Sequence, residues 1–351
     1  MPGLLAITVA VLAGVVAVIA SAIVAVRVRR GFRRRRRDRI GAAPRRALLA
    51  FVADNGERGA DELIAVPEPA WRAALPSALG LLGKLRGDAH RALVMVFLRR
   101  GMASRALADL TARGSVRRAS AAQLLGDLEL RPAVPGLCGL LTDHNHEVRV
   151  VAVRALGRIG DPAAAWRLIA SLDRPDPVPS LLATHTLVQM GPDAEVTLSA
   201  ALDHPEARVR AVCVDALGLL GATASAGRIA RVLHEDRNPD VRVAAAAALG
   251  RLSTRTALDP LIAELAPDRP AGLRAAAARA LGDLGSPAAV PHLVTVLRDG
   301  EFWVAHEAAH SLRRLGPAGL TALRETLEVA GVDTAGHCHE ALALAAILEA
   351  A

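Results

Sequence analysis

Aromatic residues are scarce in this sequence: they make up 2% of its 351 residues, and Tyr is absent. Because β-sandwiches and barrels are enriched in aromatic and β-branched side chains, this scarcity argues against a β fold. Hydrophobic residues nevertheless reach 52%, and Ala, Leu and Val supply most of them. Since Ala and Leu favour helices, the sequence predicts an all-α protein. Trp71, Trp166 and Trp303 are isolated in the sequence, and we expect each to be packed in the interior.

Cysteine is also rare. Cys138, Cys213 and Cys338 are far apart and odd in number, which argues against a disulfide framework and favours a reducing compartment. Cys138 and Cys213 lie at apolar helix positions, where we expect buried thiols. A glycine-rich phosphate loop, a G-x-S-x-G element and a CxxC pair are absent from the sequence, and we predict no cofactor.

Excess positive charge is confined to one short segment. The net charge is +8, and residues 1–39 carry all of it as nine Arg and one Asp. Beyond residue 39, basic and acidic residues are equal in number, so the net basic excess expected of a nucleic-acid-binding domain is lacking. We therefore predict no nucleic-acid partner.

An uncharged apolar run opens the chain. It extends from Leu4 to Val26, which is 23 residues, and as a helix it would span roughly 34 Å, enough to cross a bilayer. A cleaved signal peptide is the alternative, with Ala20-Ser21-Ala22 as the cleavage site. Such a peptide needs basic residues before a shorter apolar run, and neither is present. The sequence therefore predicts a transmembrane anchor over residues 1–26.

An Arg-rich juxtamembrane linker, residues 27–42, follows the apolar run directly. We expect it to contact anionic lipid headgroups, with about 1 kcal/mol contributed by each Arg. An arm that binds RNA or DNA is the alternative, and the position beside a membrane helix favours lipid. Because basic residues mark the cytoplasmic side, we predict a single-pass protein with its N-terminus outside and its remainder in the cytoplasm. The predicted membrane-surface residues are Arg27, Arg29, Arg30, Arg33, Arg34, Arg35, Arg36, Arg37 and Arg39.

A Leu-Gly step recurs late in successive apolar segments. The Leu residues that mark this position are spaced by 30 to 32 residues. They are Leu125, Leu156, Leu187, Leu217, Leu249, Leu281 and Leu312, and Gly follows each of them except Leu187 and Leu312. A steady period in this range is typical of a solenoid built from repeated helix pairs.

Each period contains two helices separated by a turn, in which Pro often begins the second helix, as at Asp161-Pro162. One helix pair cannot bury its apolar face alone, whereas stacked pairs form a continuous core. The predicted architecture is therefore a transmembrane helix followed by an α-solenoid. Its parts are degenerate helical repeats over residues 43–115, seven repeats over residues 116–331 and a capping helix over residues 332–351.

The seven repeats resemble the HEAT family, in particular the short bacterial HEAT-like repeats related to phycobilin lyase subunits. The resemblance covers about residues 116–331 and implies a superhelical interaction scaffold. An Arg recurs at the second register position, and Ser180 and Ala305 interrupt the series. In the family such an Arg typically pairs with a loop Asp of an adjacent repeat, which implies a structural role. The members of this Arg ladder are Arg118, Arg149, Arg210, Arg242 and Arg274.

Two His-Glu dipeptides stand near the C-terminal end of the sequence. His306-Glu307 and His339-Glu340 are 33 residues apart, which would place them at matching positions on neighbouring helices. The arrangement is similar to part of deoxyhypusine hydroxylase, a HEAT-repeat enzyme that holds two irons with four such pairs. The second set is missing, since Val150-Val151 and Leu181-Leu182 occupy the equivalent positions. His306, Glu307, His339 and Glu340 are therefore candidate ligands for one metal ion.

His306 and Glu307 also begin an H-E-x-x-H motif that ends at His310. In zinc proteases the two His share a metal and the Glu acts as base, but a third ligand is required. Arg313 stands where the Gly of the metzincin continuation would be, and we expect no protease activity. His144-Asn145-His146 and His234-Glu235 lie between repeats in a different register, where we expect ordinary polar loops.

The sequence thus offers an interaction scaffold without a convincing catalytic set. We predict a membrane-anchored HEAT-repeat protein, not an enzyme, that binds a partner protein at the cytoplasmic membrane face. Anchoring would raise the effective concentration of that partner. Two alternatives remain open. One is a metal-binding protein or hydroxylase-like enzyme that uses the His-Glu pairs, and the other is a chromophore-lyase-like HEAT protein, suggested only by the resemblance of the repeats.

Overall fold

The computed structural model describes Arg27, residues 46–52 and residues 59–350, with side chains through Leu348. Every regular element in this part of the chain is an α-helix or a short 3-10 helix, which confirms the all-α prediction. The predicted anchor, Leu4 to Val26, lies outside the described residues, as does the Arg-rich linker except for Arg27. Of the helices that can be described, none is long and apolar enough to cross a membrane.

The chain divides into two compact units, Met1–Ala106 and Leu107–Ala351. The first unit contains a helical segment over residues 46–52, followed by three further described helices. These are α1 (Ala60–Ala65), α2 (Glu68–Leu82) and α3 (Gly87–Arg99), and the next helix, α4 (Met102–Asp109), contains the point of division.

A buried aromatic pair lies at the centre of the first unit. Trp71 on α2 meets Phe97 on α3 edge to face, with ring centroids 5.5 Å apart. The Arg100 guanidinium lies 4.5 Å from the centroid of the Trp71 ring and donates hydrogen bonds to the carbonyls of Leu63 and Ile64. Those carbonyls end α1 and lack helical partners, so one Arg side chain both caps α1 and covers the aromatic core.

Seven helix pairs follow one another in the second unit between Ser115 and Val329, a stretch the structure describes throughout. The first helices are α5 (Ser115–Asp127), α7 (His146–Ile159), α9 (Ser180–Gln189), α11 (Ala207–Leu220), α13 (Pro239–Leu252), α15 (Ala271–Leu284) and α17 (Phe302–Arg314). The second helices are α6 (Val134–Leu140), α8 (Ala165–Ser171), α10 (Glu195–Ala200), α12 (Ala226–Glu235), α14 (Leu258–Ala263), α16 (Val290–Val296) and α18 (Pro317–Val329). A final helix, α19 (Val332–Ala350), packs against α17 and α18.

The Leu-Gly step lies where the first helices of consecutive repeats cross. A Cβ atom added to Gly126 would be 2.6 Å from the Cα of Ala155, and one added to Gly250 would be 2.9 Å from the Cα of Ala280. Both distances are well inside the contact distance of two carbon atoms, so only Gly allows the backbones to approach this closely. The period in the sequence is therefore a packing period of the first helices.

Local signals set the ends of these helices. The Asn145 side chain accepts hydrogen bonds from the backbone N–H groups of Glu147 and Val148 at the start of α7. Gly160 ends the same helix with a φ of +64°, in the left-handed region that favours glycine. In six of the seven pairs a 3-10 turn leads into the second helix. Similar turns therefore recur between the two helices of successive pairs.

Candidate functional site

The described residues contain one group of His, Cys, Asp and Glu side chains compact enough to hold a metal ion. It consists of His306 on α17 with His337 and Glu340 on α19, whose ligand atoms all lie within 4.8 Å of one another. One carboxylate oxygen of Glu340 lies 3.5 Å from His306 Nδ1, and the other lies 3.7 Å from His310 Nε2. His306, His310, His337 and Glu340 are called the His/Glu cluster below.

Aromatic rings border the imidazoles of the cluster. Phe302 stacks on His306, with 5.7 Å between ring centroids and 15° between planes, and its centroid is 4.8 Å from that of His337. Trp303 meets His306 edge to face at 5.6 Å. A cleft of about 480 Å³ opens beside these residues, and Phe302, His337 and Glu340 are among those that line it. Aromatic rings thus pack against the imidazoles of the cluster, and one of them, Phe302, also lines the cleft beside it.

Burial favours the neutral form of two imidazoles in the cluster. Burial is the main cause that lowers the pKa of His310 and of His337, and the neighbouring His306 lowers the pKa of both further. Glu340 opposes this change without reversing it. A neutral imidazole has a free lone pair, so the lowered pKa favours the form of these two side chains that binds metal ions.

Glu307 and His339, two of the four ligands predicted from the sequence, lie outside the cluster. Successive residues of an α-helix are about 100° apart, and in α17 this rotation turns Glu307 away from Glu340, which His306 approaches. Glu307 faces α15, where Arg279 Nε lies 3.0 Å from its Oε2 atom, and His339 is exposed. Burial raises the pKa of the Glu307 carboxyl, but the hydrogen bonds and charge of Arg279 outweigh burial and lower it overall.

His337 is the cluster residue that the sequence analysis missed. The signal that identifies it is its spacing of three residues from Glu340, because residues at this spacing lie on the same face of a helix. Cys338, the neighbouring thiol, is completely buried and does not belong to the group. Two of the four predicted ligands, His306 and Glu340, are therefore brought together, and His337 completes the group.

The recurring Arg residues lie at the junctions between repeats. Each one is the fourth residue of a first helix and pairs with an acidic residue that follows the second helix of the same repeat. The pairs are Arg118 with Asp143, Arg149 with Asp176, Arg210 with Asp236, Arg242 with Glu264, and Arg274 with Asp299.

Arg210 illustrates how one such side chain joins two loops. Its Nε and Nη2 atoms donate to the two carboxylate oxygens of Asp236 at 2.6 and 2.8 Å, and its Nη1 atom donates to the carbonyls of His204 and Pro205. Asp236 also accepts a hydrogen bond from the backbone N–H of Asn238, whose side chain caps α13. The Arg, the Asp and the capping Asn form one structural network, which gives the Arg ladder a role in stability.

Two polar motifs that precede first helices belong to the same kind of network. His234, of the His234-Glu235 pair, has its Nδ1 atom 3.1 Å from Glu264, whose side chain is completely buried and lies 2.7 Å from Arg242. In His144-Asn145-His146, the Asn caps α7 and the second His is 3.1 Å from Arg149. Both motifs therefore contribute to the junctions between repeats.

Two of the three Trp side chains are exposed. Trp71 is 2% exposed, whereas Trp166 and Trp303 are 53% and 67% exposed, so the expectation of a packed side chain is wrong for those two. Phe302 is also exposed and meets Trp303 edge to face at 5.2 Å. The Arg167 guanidinium lies 4.2 Å from the centroid of the Trp166 ring. A chain with few aromatic residues thus places three of them on its surface.

Stacked helix pairs with a regular Leu period define the second unit as an α-solenoid. The model of HEAT repeats matches residues 101–187, 194–268 and 258–343. Because these ranges cover more than half of the sequence, the chain belongs to the HEAT-repeat family. A search of curated proteins finds no match.

Solved structures with a similar fold include Kap121p, at 16% identity and a TM-score of 0.54, and Kap121p bound to Pho4p, at 17% identity and a TM-score of 0.53. Both matches cover 78% of this chain and 36% of Kap121p, so the chain spans little more than a third of that protein. The complex of CpcE and CpcF of phycocyanin lyase from Nostoc sp. PCC7120 is 24% identical, with 69% of this chain and 94% of that chain covered and a TM-score of 0.33.

Proposed function

We propose that this chain is a membrane-tethered scaffold that binds a partner protein on its solenoid surface and catalyses no reaction. The observation that carries the proposal is the exposure of Trp166, Phe302 and Trp303 in a chain with few aromatic residues. Aromatic side chains, Trp above all, supply much of the binding energy at protein interfaces. Their exposure leaves that energy available for a partner.

The chemistry of the repeats supports binding over catalysis. The recurring Arg residues are engaged in structural pairs at the repeat junctions. The carboxylate of Glu307, which a protease mechanism would require as a base, is held by Arg279. Kap121p has been solved bound to Nup53p and to Pho4p, so a solenoid of similar fold binds other proteins. This support is an analogy between folds.

Cross-linking in membranes tests the proposal. The full-length chain, its Trp166→Ala variant and its Trp303→Ala variant are cross-linked and recovered from membranes, and the captured proteins are identified. Leu181→Ala is the matched control, because it removes an apolar, non-aromatic side chain that is 82% exposed. Loss of an interface Trp is expected to cost about 2 kcal/mol or more, which corresponds to roughly 30-fold weaker binding.

The expected result is one consistent protein that the native chain and Leu181→Ala recover and at least one Trp variant loses. Recovery of lipid without protein, or equal recovery of that protein by the native chain and by both Trp variants, would refute the proposal. All three substitutions change exposed residues, so circular dichroism should show unchanged folding.

The membrane tether and its orientation rest on the sequence of residues 1–42, in which Leu4 to Val26 precedes the Arg-rich linker. Fusion of a C-terminal reporter that is active only outside the cytoplasm tests them. The reporter is expected to remain silent while the protein stays in the membrane fraction after a high-salt wash. An active reporter would place the solenoid on the other side of the membrane.

A further inference from the structure

Two ring nitrogens of the His/Glu cluster have no hydrogen-bond partner among the residues described. They are His306 Nδ1 and His310 Nε2, and both atoms are inaccessible to solvent. Each lies beside a carboxylate oxygen of Glu340, at 3.5 and 3.7 Å, beyond good hydrogen-bond geometry. Buried polar atoms are rarely left without a partner, so the unpartnered His306 nitrogen beside the Glu340 carboxylate points to a ligand between these two groups.

We propose that His306, His337 and Glu340 bind a divalent transition-metal cation, best matched by Zn²⁺, at the junction of α17 and α19. Their ligand atoms lie within 4.8 Å of one another. Tetrahedral zinc with bond lengths of 2.0–2.1 Å has ligand atoms about 3.4 Å apart, so small side-chain movements of about 1 Å close the site. Two imidazoles and one carboxylate are a donor set that zinc accepts in proteins.

The surroundings of the cluster fit a metal site with three protein ligands. Phe302 and Trp303 pack on His306 and limit its movement, and His310 stands one turn further along α17 with its ring 4.3 Å from that of His306. The neighbouring cleft leaves one side of the cluster open. Because His337 and Glu340 line that cleft, a cation held by three protein ligands would take water or an anionic group from the cleft as its fourth ligand.

The bound cation would join the last helix to the last repeat. His306 belongs to α17, whereas His337 and Glu340 belong to α19, so coordination would link these two helices directly. Metal that binds only the folded state stabilises it. The site does not depend on the proposed protein partner, because it requires only these two helices.

Metal titration of the full-length chain in detergent micelles tests the site. The protein carries an affinity tag without His and is first treated with a chelator, and Zn²⁺ binding is then measured by calorimetry. Co²⁺ serves as a spectroscopic probe, and Mg²⁺, which prefers oxygen ligands, as a negative control. The variants are His306→Ala, His337→Ala and Glu340→Gln. His339→Ala is the matched control, since it removes an exposed His next to Glu340.

The native chain and His339→Ala are expected to bind one Zn²⁺ with equal affinity. Each ligand variant should bind at least about 100-fold more weakly, because loss of even an outer-shell partner typically costs 10–100-fold. Zn²⁺ should also raise the melting temperature of the native chain and not that of Glu340→Gln, whose exposed position keeps folding intact. Substoichiometric binding, or ligand variants that match the affinity of His339→Ala, would overturn the proposal.

Discussion

Replacement of Gly126 by Ala should weaken the packing between the first two repeats of the array. The new Cβ atom would lie 2.6 Å from the Cα and 2.7 Å from the Cβ of Ala155, roughly 1 Å inside the ordinary carbon contact distance of about 3.5–4.0 Å. Both atoms of Ala155 are fixed by the backbone, so relief requires that α5 and α7 move apart. The substitution therefore disturbs the helix crossing itself.

The magnitude follows from two opposing effects. Overpacking in a well-packed interior costs about 1–3 kcal/mol, and exchange of Gly for Ala inside a helix contributes up to about 1 kcal/mol of stability in return. Because the overlap is with backbone-fixed atoms of Ala155, we place the overpacking cost at about 2–3 kcal/mol. After the gain from Ala, we expect Gly126→Ala to lower the free energy of unfolding by about 1–2 kcal/mol. The same substitution at Gly218 and Gly250 should follow, because added Cβ atoms there would lie 2.8 and 2.9 Å from the next first helix.

Gly227→Ala is the control, because a Cβ added at Gly227 in α12 would meet nothing within 4 Å. Urea unfolding of the full-length chain in detergent, followed by circular dichroism at the helix band, gives the stability of each variant. Hydrogen exchange locates the change, which should appear as faster exchange in α5 and α7. If Gly126→Ala unfolds at the same urea concentration as Gly227→Ala or at a higher one, the account of the Leu-Gly step is wrong.

Three further predictions concern the repeat junctions and the buried thiol of Cys213. Asp236→Asn should lower the free energy of unfolding by about 3 kcal/mol, because it leaves the largely buried Arg210 without its charged partner. The control, Asp203→Asn, breaks the exposed pair with Arg228 and should lower the free energy of unfolding by less than about 1 kcal/mol. Urea titrations measure both changes. Hydrogen bonds from Arg118 lower the pKa of Asp143 below its ordinary value. The stability that this pair contributes is therefore complete above the unfolded pKa of about 3.9 and is lost as pH falls through the lower folded pKa. Melting temperatures measured from pH 6 to pH 3 should fall in that acid range, and a flat profile would contradict the role given to this pair. Burial raises the pKa of Cys213 to about 12, so thiol reagents at pH 8 should label this residue only after the chain unfolds. Peptide mass mapping identifies the labelled residue, and rapid labelling of Cys213 in the native chain would contradict its burial.

The repeat fold could be predicted from the sequence because its main constraint is local and periodic. Each Leu-Gly step places a buried Leu beside a close helix crossing, as at Leu125-Gly126 and Leu249-Gly250, and a packing requirement that recurs in every repeat recurs in the sequence. The capping network was harder to recognise. Its signature is an Asp two residues before a capping Asn, as at Asp143 and Asn145, and its meaning depends on an Arg 25 residues earlier in the chain.

The candidate metal site could be predicted only in part, because it depends on helix rotation. The repeat period places candidate ligands on the last repeat and the last helix, and there His306 Nδ1 lies 3.5 Å from Glu340. A register comparison between two helices does not give their relative rotation, since α19 is a single long helix and not the first member of another pair. The comparison therefore selected His339, which is exposed, in place of His337, which is buried.

The position of His306 in the array helps to distinguish a metal site from an end cap that only improves solubility. Earlier repeats place small or aliphatic residues at the equivalent position, namely Ala119, Val150, Leu181, Ala211, Val243 and Ala275. Terminal repeats often become polar to meet water, but a residue that serves solubility should have hydrated polar atoms. His306 Nδ1 is instead inaccessible, has no hydrogen-bond partner among the described residues and lies 3.5 Å from a carboxylate. A solubilising His would also tolerate replacement by Gln without any change in Zn²⁺ affinity, whereas a ligand would not, so His306→Gln separates the two explanations in the same titration.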